Sequence, residues 1–233
     1  MITEADIRRW RGEVPWTDAD NVEQDLVLSR LIIEIANHPL LGEELVFRGG
    51  TCFHKIWLDR PWRYSEDLDY VRRTAGGVGE VLDALREVGD AVGFDRASTD
   101  VRRHPKLRLF STFESGQPMR IKIEMNTFER SPAQMITTVP FRIDTSWFTG
   151  RADVPTFTLE ELVATKIRAL YQRRKGRDLF DMWLAVEEAN LDAKLEDTRF
   201  TTDLETLVAV GPERYTIEAG AEVARAVIGA VGA

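Results

Sequence analysis

Between Asn21 and Leu41 the chain reads NVEQDLVLSRLIIEIANHPLL, and Leu26, Leu28, Ile32, Ile33 and Ile35 form a broad apolar face at helical spacing. The pattern predicts one helix over these residues. A short extended piece, ELVFR, then meets Gly49-Gly50. Thr51 is placed to cap a helix through CFHKIWL, where Phe53, Ile56 and Trp57 recur at helical spacing. RYSEDLDYV alternates and predicts a strand. GVGEVLDALREVGDAVG predicts an amphipathic helix closed by Gly93. KLRLFSTFE and PMRIKIEMNTF read as two strands around the turn signal SGQP, and TVPFRIDTSWF as a further extended segment. From Thr158 the pattern turns helical and stays so to the end. The chain is therefore expected to be an α+β protein. An α/β core with an N-terminal helix would occupy residues 1–155 and a helical C-terminal domain residues 156–233. The boundary is expected near GRADVPTFT, where Gly and Pro cluster.

Composition narrows the function classes. The 233 residues are 43% hydrophobic, enough to bury a full core. No run of about eighteen apolar residues occurs, which argues against a membrane span. The charged N-terminus MITEADIRRWRGEVPWTDAD lacks the apolar centre of a signal peptide. The single cysteine, Cys52, cannot form an internal disulfide, and together these features predict a cytoplasmic protein. A formal net charge of −8 argues against a general polyanion binder. Basic residues nevertheless cluster from Arg102 to Lys122 and from Lys166 to Arg177, while acids dominate after Glu187. Two solvated basic faces or a local phosphate or RNA footprint would each fit that pattern.

The chemistry concentrates in RGGTCFHKIWLDRPWRYSEDLDY. Paired glycines let backbone approach a ligand closely, and a helix start just after them offers N–H groups to an anion. On the following strand Asp67 and Asp69 project to one side, with Ser65 on the same face and Leu68 turned inward. Two carboxylates at this spacing can share Mg²⁺ or Mn²⁺, hard cations that also carry a nucleotide's phosphates. In RIKIEMN, Glu124 shares a face with Lys122, and on a neighbouring strand it would complete a carboxylate triad. Asp144 in FRID is the rival third acid. Taken alone, Asp-x-Asp also fits a solvated strand edge, and Lys122/Glu124 a surface pair.

The cations Lys166, Arg173 and Arg177 would form one stripe on a continuous helix; Gly176 could instead break it and leave a helix–helix junction. Lys166 and Arg173 are expected to bind the triphosphate or the RNA backbone, and Arg177 with Asp178 and Asp181 to orient the site from behind; a surface ion pair of Arg177 and Asp181, four residues apart, is the alternative. His54 is expected at the surface or half-buried, since no second His or Cys offers a zinc set. Lys55 is expected to be solvated and Cys52 to sit in the core. Trp57, Trp62, Trp147 and Trp183 are expected to be core anchors; base stacking by Trp62 and Tyr64, next to the acids, is the alternative.

The ordered motifs FRGGTCFHKIW, RYSEDLDY and IKIEMN resemble the nucleotidyltransferase superfamily, and within it the AbiEii/MenT-type nucleotidyltransferase toxins. A later helix motif, RRKGRDLFD, preceded by VATKIRAL, strengthens the match, which spans about Leu45 to Trp183. The resemblance implies a polymerase-β-like mixed-sheet core with a C-terminal helical region. It implies Asp67, Asp69 and Glu124 as metal ligands, joined by Lys166 in the catalytic set. Gly49, Gly50, Thr51, Ser65, Lys122, Arg173 and Arg177 would bind the nucleotide. Ser65 would be a candidate phosphorylation target. The activity implied is transfer of a nucleotide from an NTP to RNA, at the tRNA 3′ acceptor end, by a toxin paired with a separately encoded antitoxin. Transfer to a protein or small molecule, or a catalytically idle binding module, are the alternatives. Nothing in the pattern forces a dimer over a monomer.

Overall fold

The first helix, α1 (Glu4–Trp10), starts in a capping box, with Thr3 and Asp6 each satisfying the other's backbone N–H. The computed structural model describes residues 2–128, 135–173, 176–187 and 222, and for residues 168, 170–173, 186 and 187 the backbone alone. Helix α2 (Ala19–Asn37) starts under Asp18, whose carboxylate accepts from the N–H groups of Asp20 and Asn21. It ends at His38, which is extended at φ −70°, ψ 128°, and α3 (Pro39–Glu44) begins immediately after. The single helix expected over 21–41 is thus two, because the Pro39 ring disfavours helical backbone in the residue before it.

Strand β1 (Leu45–Arg48) leads into α4 (Gly49–Cys52), which continues as a π-helical turn, Phe53–Trp57. Then come β2 (Asp67–Arg72) and α5 (Gly79–Val92), which stops at Gly93 with φ +110°. Strands β3 (Arg96–Asp100), β4 (Lys106–Thr112), β5 (Pro118–Asn126), β6 (Thr137–Asp144) and β7 (Thr149–Thr156) follow. Helices α6 (Leu159–Arg173) and α7 (Gly176–Glu187) come last among the described elements. The expected helical run beyond Glu187 lies outside the described residues, apart from helical Glu222.

The seven strands form one mixed sheet in the order β3-β4-β5-β2-β1-β7-β6. Strands β2 and β5 are parallel, and β1 and β7 are parallel; the remaining neighbours are antiparallel. Leu68, Tyr70, Ile121, Ile123 and Met125 are buried with Phe47 and with Leu26, Leu28 and Ile32 of α2. The opposite face of β2 and β5 carries the polar residues of the candidate site. Two strands were not expected. RASTD has no apolar alternation and becomes β3 through its ladder to β4. GRADVPT, read as a boundary, is β7, laddered to β6 and touching β1 at Phe47 and Thr156. No described helix is long and apolar enough to cross a membrane.

Candidate functional site

Parallel pairing of β2 with β5 sets Asp67 opposite Lys122 and Asp69 opposite Glu124. Because strand side chains alternate, all four share one face, and Leu68 and Ile123 are fully buried on the other. Asp144 is on β6, three strands away from β2, where its carboxylate accepts from the Thr149 hydroxyl. The rival acid is therefore not part of this cluster.

The Lys122 ammonium stands between two of the carboxylates, 2.8 Å from Asp67 and 3.2 Å from Glu124. Lys106 approaches Glu124 at 3.6 Å. Burial raises the pKa of Asp69, and the neighbouring Asp67 raises it further, while Lys122 works the other way. Negative charge is thus crowded around Asp69, and a cation would relieve it. Among the described residues no three His, Cys, Asp or Glu side chains are already gathered as a metal cluster. The donors that are present, oxygens on adjacent strands, suit a hard divalent cation.

The glycine turn closes on these acids. Gly49 has φ +85°, and a Cβ there would strike the Asp69 carboxylate. A Cβ on Gly50 would strike the Arg63 guanidinium and lie 3.3 Å from Ser65 Oγ. Only glycine allows the backbone this close. Thr51 does not cap the helix as expected. Arg48 holds the N-cap position without a side-chain hydrogen bond, and the buried Thr51 hydroxyl contacts Ser65 Oγ at 2.8 Å and the Asp67 carbonyl. Thr51 thereby ties the turn to the start of β2 and is absent from the cleft lining.

Behind the turn lies a buried charge cluster centred on Asp181. Its carboxylate accepts two hydrogen bonds from Arg63, at 2.7 and 2.6 Å, pairs with the Lys166 ammonium, and contacts His54 Nε2 at 2.9 Å. His54 Nδ1 accepts from the Trp62 N–H, so the neutral ring carries its proton on Nε2 and donates it to Asp181. Although burial opposes it, attraction from Arg63, then Lys166, holds the Asp181 carboxyl well below the usual range. His54 is therefore buried and engaged, not at the surface. Asp181 and Asp178 are buried, so the alternative of a surface ion pair with Arg177, which is half-buried on the first turn of α7, does not hold. Lys166 on α6 meets Asp181 on α7, so the two helices fold against each other and the stripe on one continuous helix does not form. The Arg173 side chain lies outside the described residues.

Burial depresses the His54 pKa to about 4, from 6.5. Between those values the unfolded chain takes up a proton that the native ring refuses. Stability present above pH 6.5 is therefore lost as pH falls toward about 4, by up to about 3 kcal/mol. The Asp181 contribution is lost only below its unfolded pKa of 3.8. Urea unfolding at pH 7 and pH 4.5 measures this. His54→Gln is expected to be less stable at pH 7 and to lose less on acidification, whereas an unchanged difference would contradict the assignment.

The face opens into a cleft of about 390 Å³. Gly49, Gly50, Asp69 and Glu124 form one wall, Thr165, Lys166 and Ala169 of α6 another, and Arg103, His104 and Phe128 stand at its margin. Asp67, Ser65, Lys122 and Arg177 do not line it. Trp62 and Tyr64 do not either: Arg60 covers the Trp62 ring at 4.0 Å, and the Tyr64 hydroxyl donates to Gln24. His104 and Phe128, whose rings meet edge to face at 5.8 Å, line the cleft together with Tyr70. Lys55, expected in solvent, is buried against Asp25 at 2.7 Å and Ser29 at 2.9 Å. Cys52 is a core residue, its thiol pushed up to about 12 by burial. Arg63 had no local signal in the sequence, since its partner is 118 residues away.

A family model described as nucleotidyl transferase AbiEii toxin, type IV toxin–antitoxin system, matches residues 30–229. MenT4, a nucleotidyltransferase toxin from Mycobacterium tuberculosis, is similar in structure at a TM-score of 0.56 and 19% identity, over 97% of this chain and 88% of its own. JHP933 from Helicobacter pylori is similar at a TM-score of 0.51 and 17% identity, over 72% of this chain and 66% of its own. At such identities the likeness is one of fold. A search of proteins with curated functions finds no match.

Proposed function

This chain belongs to the AbiEii family of nucleotidyl transferase toxins from toxin–antitoxin systems, and on that premise we propose that it transfers a nucleoside monophosphate from an NTP to the 3′ end of a tRNA. The observation that carries the reading is the register of β2 and β5, which sets Asp69 beside Glu124 and Asp67 beside Lys122 at the edge of the glycine turn. Asp67, Asp69 and Glu124 would hold Mg²⁺ or Mn²⁺. When bound, such ions supply charge neutralisation at the phosphates and a more acidic attacking hydroxyl. The Gly49-Gly50 turn lines the cleft, and N–H groups at such a helix start suit a phosphate. Arg63 braces the same turn from behind, with its guanidinium against Gly50 and on Asp181. Lys166, at the cleft but paired with Asp181, adds positive charge from a fixed position. Lys122 would neutralise the carboxylates until a cation arrives and then be free to turn to a phosphate. Positioning and electrostatics are what such a transfer needs from a protein. The antitoxin would be a separate chain, and the setting the cytoplasm.

Gly49→Ala tests the turn. The new methyl group meets Asp69 and the backbone is held at positive φ, so a loss of about 1–2 kcal/mol in stability is expected. Displacement of the carboxylate lowers transfer by about 10²-fold. Full activity in this variant would remove the close approach from the account. For the reaction itself, pyrophosphate release from each NTP is followed with and without total tRNA. Release stimulated by tRNA and abolished by a chelator supports the proposal. Release of orthophosphate, or of nothing, counts against it.

A further inference from the structure

The sheet face that bears the carboxylates continues past them onto β4 and β3, where, among the described residues, it is cationic and open. Register fixes its layout: Arg108 lies opposite Lys122, Arg120 opposite Phe110, and Phe110 opposite Arg96. Arg96 and Arg120 are exposed and Arg108 and Phe110 half-buried. Lys106 and Lys122 are held by Glu124 and Asp67, and Arg102 by Asp100. Among the described residues, Arg108 and Arg120 pair with no carboxylate, and Arg96 lies 3.9 Å over the Phe110 ring. Among the described residues, a cationic shelf with an aromatic in its middle is left without a structural task.

Its position relative to the cleft suggests one. The glycine turn and Asp69 line the cleft, whereas Asp67 and Lys122 do not, and register sets Asp67 beside Lys122 and Lys122 beside Arg108 of the shelf. In nucleotidyl transfer the attacking hydroxyl and the leaving pyrophosphate are roughly in line on opposite sides of the reacting phosphorus. A triphosphate seated at the glycine turn leaves toward that turn, so the acceptor must arrive from across the acids. With neighbouring strands about 4.8 Å apart and alternate residues about 6.8 Å apart, the backbone sites of Arg120, Arg108 and Arg96 are about 8 to 16 Å from Asp67. That is the reach of the last few phosphates before a terminal hydroxyl.

We propose that the open face of β3, β4 and β5, through Arg96, Arg108 and Arg120, is the docking surface for the sugar-phosphate backbone of the acceptor RNA strand, delivering its 3′ hydroxyl to Asp67. The proposal rests on the RNA-acceptor reading above. Phosphate contacts set register without reading sequence, so the shelf fixes how the end is presented and leaves base choice to the cleft.

The test compares the wild type, Arg108→Ala/Arg120→Ala, and Arg142→Ala/Arg151→Ala. The last pair removes equal charge from exposed positions on β6 and β7, away from the site. For the shelf variant, nucleotide binding measured by calorimetry is unchanged, and kcat/KM for labelling total tRNA falls by about 10-fold or more at ~0.15 M salt. Its log–log salt slope for tRNA binding becomes shallower by about 1.4 to 1.8, for two lost contacts. The control pair changes neither. A photo-crosslinking amino acid in place of Ser98, on the same face, captures tRNA with the rest of the shelf intact, a readout independent of the double variant's folding. If the wild type labels tRNA but the shelf variant labels it equally well and Ser98 captures nothing, the docking surface is overturned and the RNA reading stands. If the wild type labels protein and not tRNA, both fall.

Discussion

Asp69→Asn is expected to abolish transfer and, in the absence of a divalent cation, to make the protein more stable. The two effects have one cause. Burial and the adjacent Asp67 raise the Asp69 pKa in the native state. A carboxylate so raised binds its proton more tightly folded than unfolded, so its charge costs stability at every pH above the folded pKa, and that cost is relieved as pH falls through it. Asn keeps the shape and removes the charge. It also removes an oxygen anion from between the glycine turn and Glu124, where a cation would sit. Losing several kcal/mol of charge stabilisation corresponds to about 10³-fold or more in rate. Thermal melting with and without Mg²⁺, beside a transfer assay, measures both. A variant that melts lower than wild type without cation, or that retains activity, is incompatible with this reading of Asp69. Trading stability for a crowded functional charge is a common feature of active sites.

Asp181→Ala is expected to be the largest loss of stability in the described structure. Removing one partner of a buried ion pair costs about 3–5 kcal/mol, because the charge left behind is stranded. Here two are stranded, since Arg63 and Lys166 both lose their carboxylate, and His54 loses its acceptor. Transfer falls too, as Arg63 no longer braces Gly50. The double variant Arg63→Met/Asp181→Ala recovers part of the stability, because one stranded charge is gone, yet it does not recover activity. Urea unfolding of the three proteins measures the coupling. A loss below about 1 kcal/mol for Asp181→Ala would mean the cluster is wetter than the buried geometry indicates.

What could be read from the sequence follows from periodicity. The α+β class, the core strands, the glycine turn and the shared face of Asp67 and Asp69 depend on local spacing, which a chain displays openly. So does the Lys122/Glu124 alternation. The pairing partner of β5 was stated only as a condition, and register supplies it. Asp181 was legible as a residue behind the site, but its partners were not, because they sit on distant segments and nothing local to His54 or Arg63 marks them for burial. The RRKGRDLFD run announced chemistry either as a stripe on one helix or, with a break at Gly176, as a helix–helix junction; the junction is what forms, and Asp181 turns inward to Lys166. Trp62 and Tyr64 were plausible stacking rings by adjacency alone, and tertiary packing turned them away. Strand β3 was invisible because its order comes from backbone pairing and not from apolar side chains.

The central claim is the bond that is made. NTPs radiolabelled separately at the α- and γ-phosphates are offered with intact tRNA and with tRNA whose terminal ribose has been oxidised by periodate. The account predicts label on intact tRNA from the α-position only, none on oxidised tRNA, and none from Asp69→Asn. Label from the γ-position, label that survives oxidation, or label found on protein in place of RNA would contradict it.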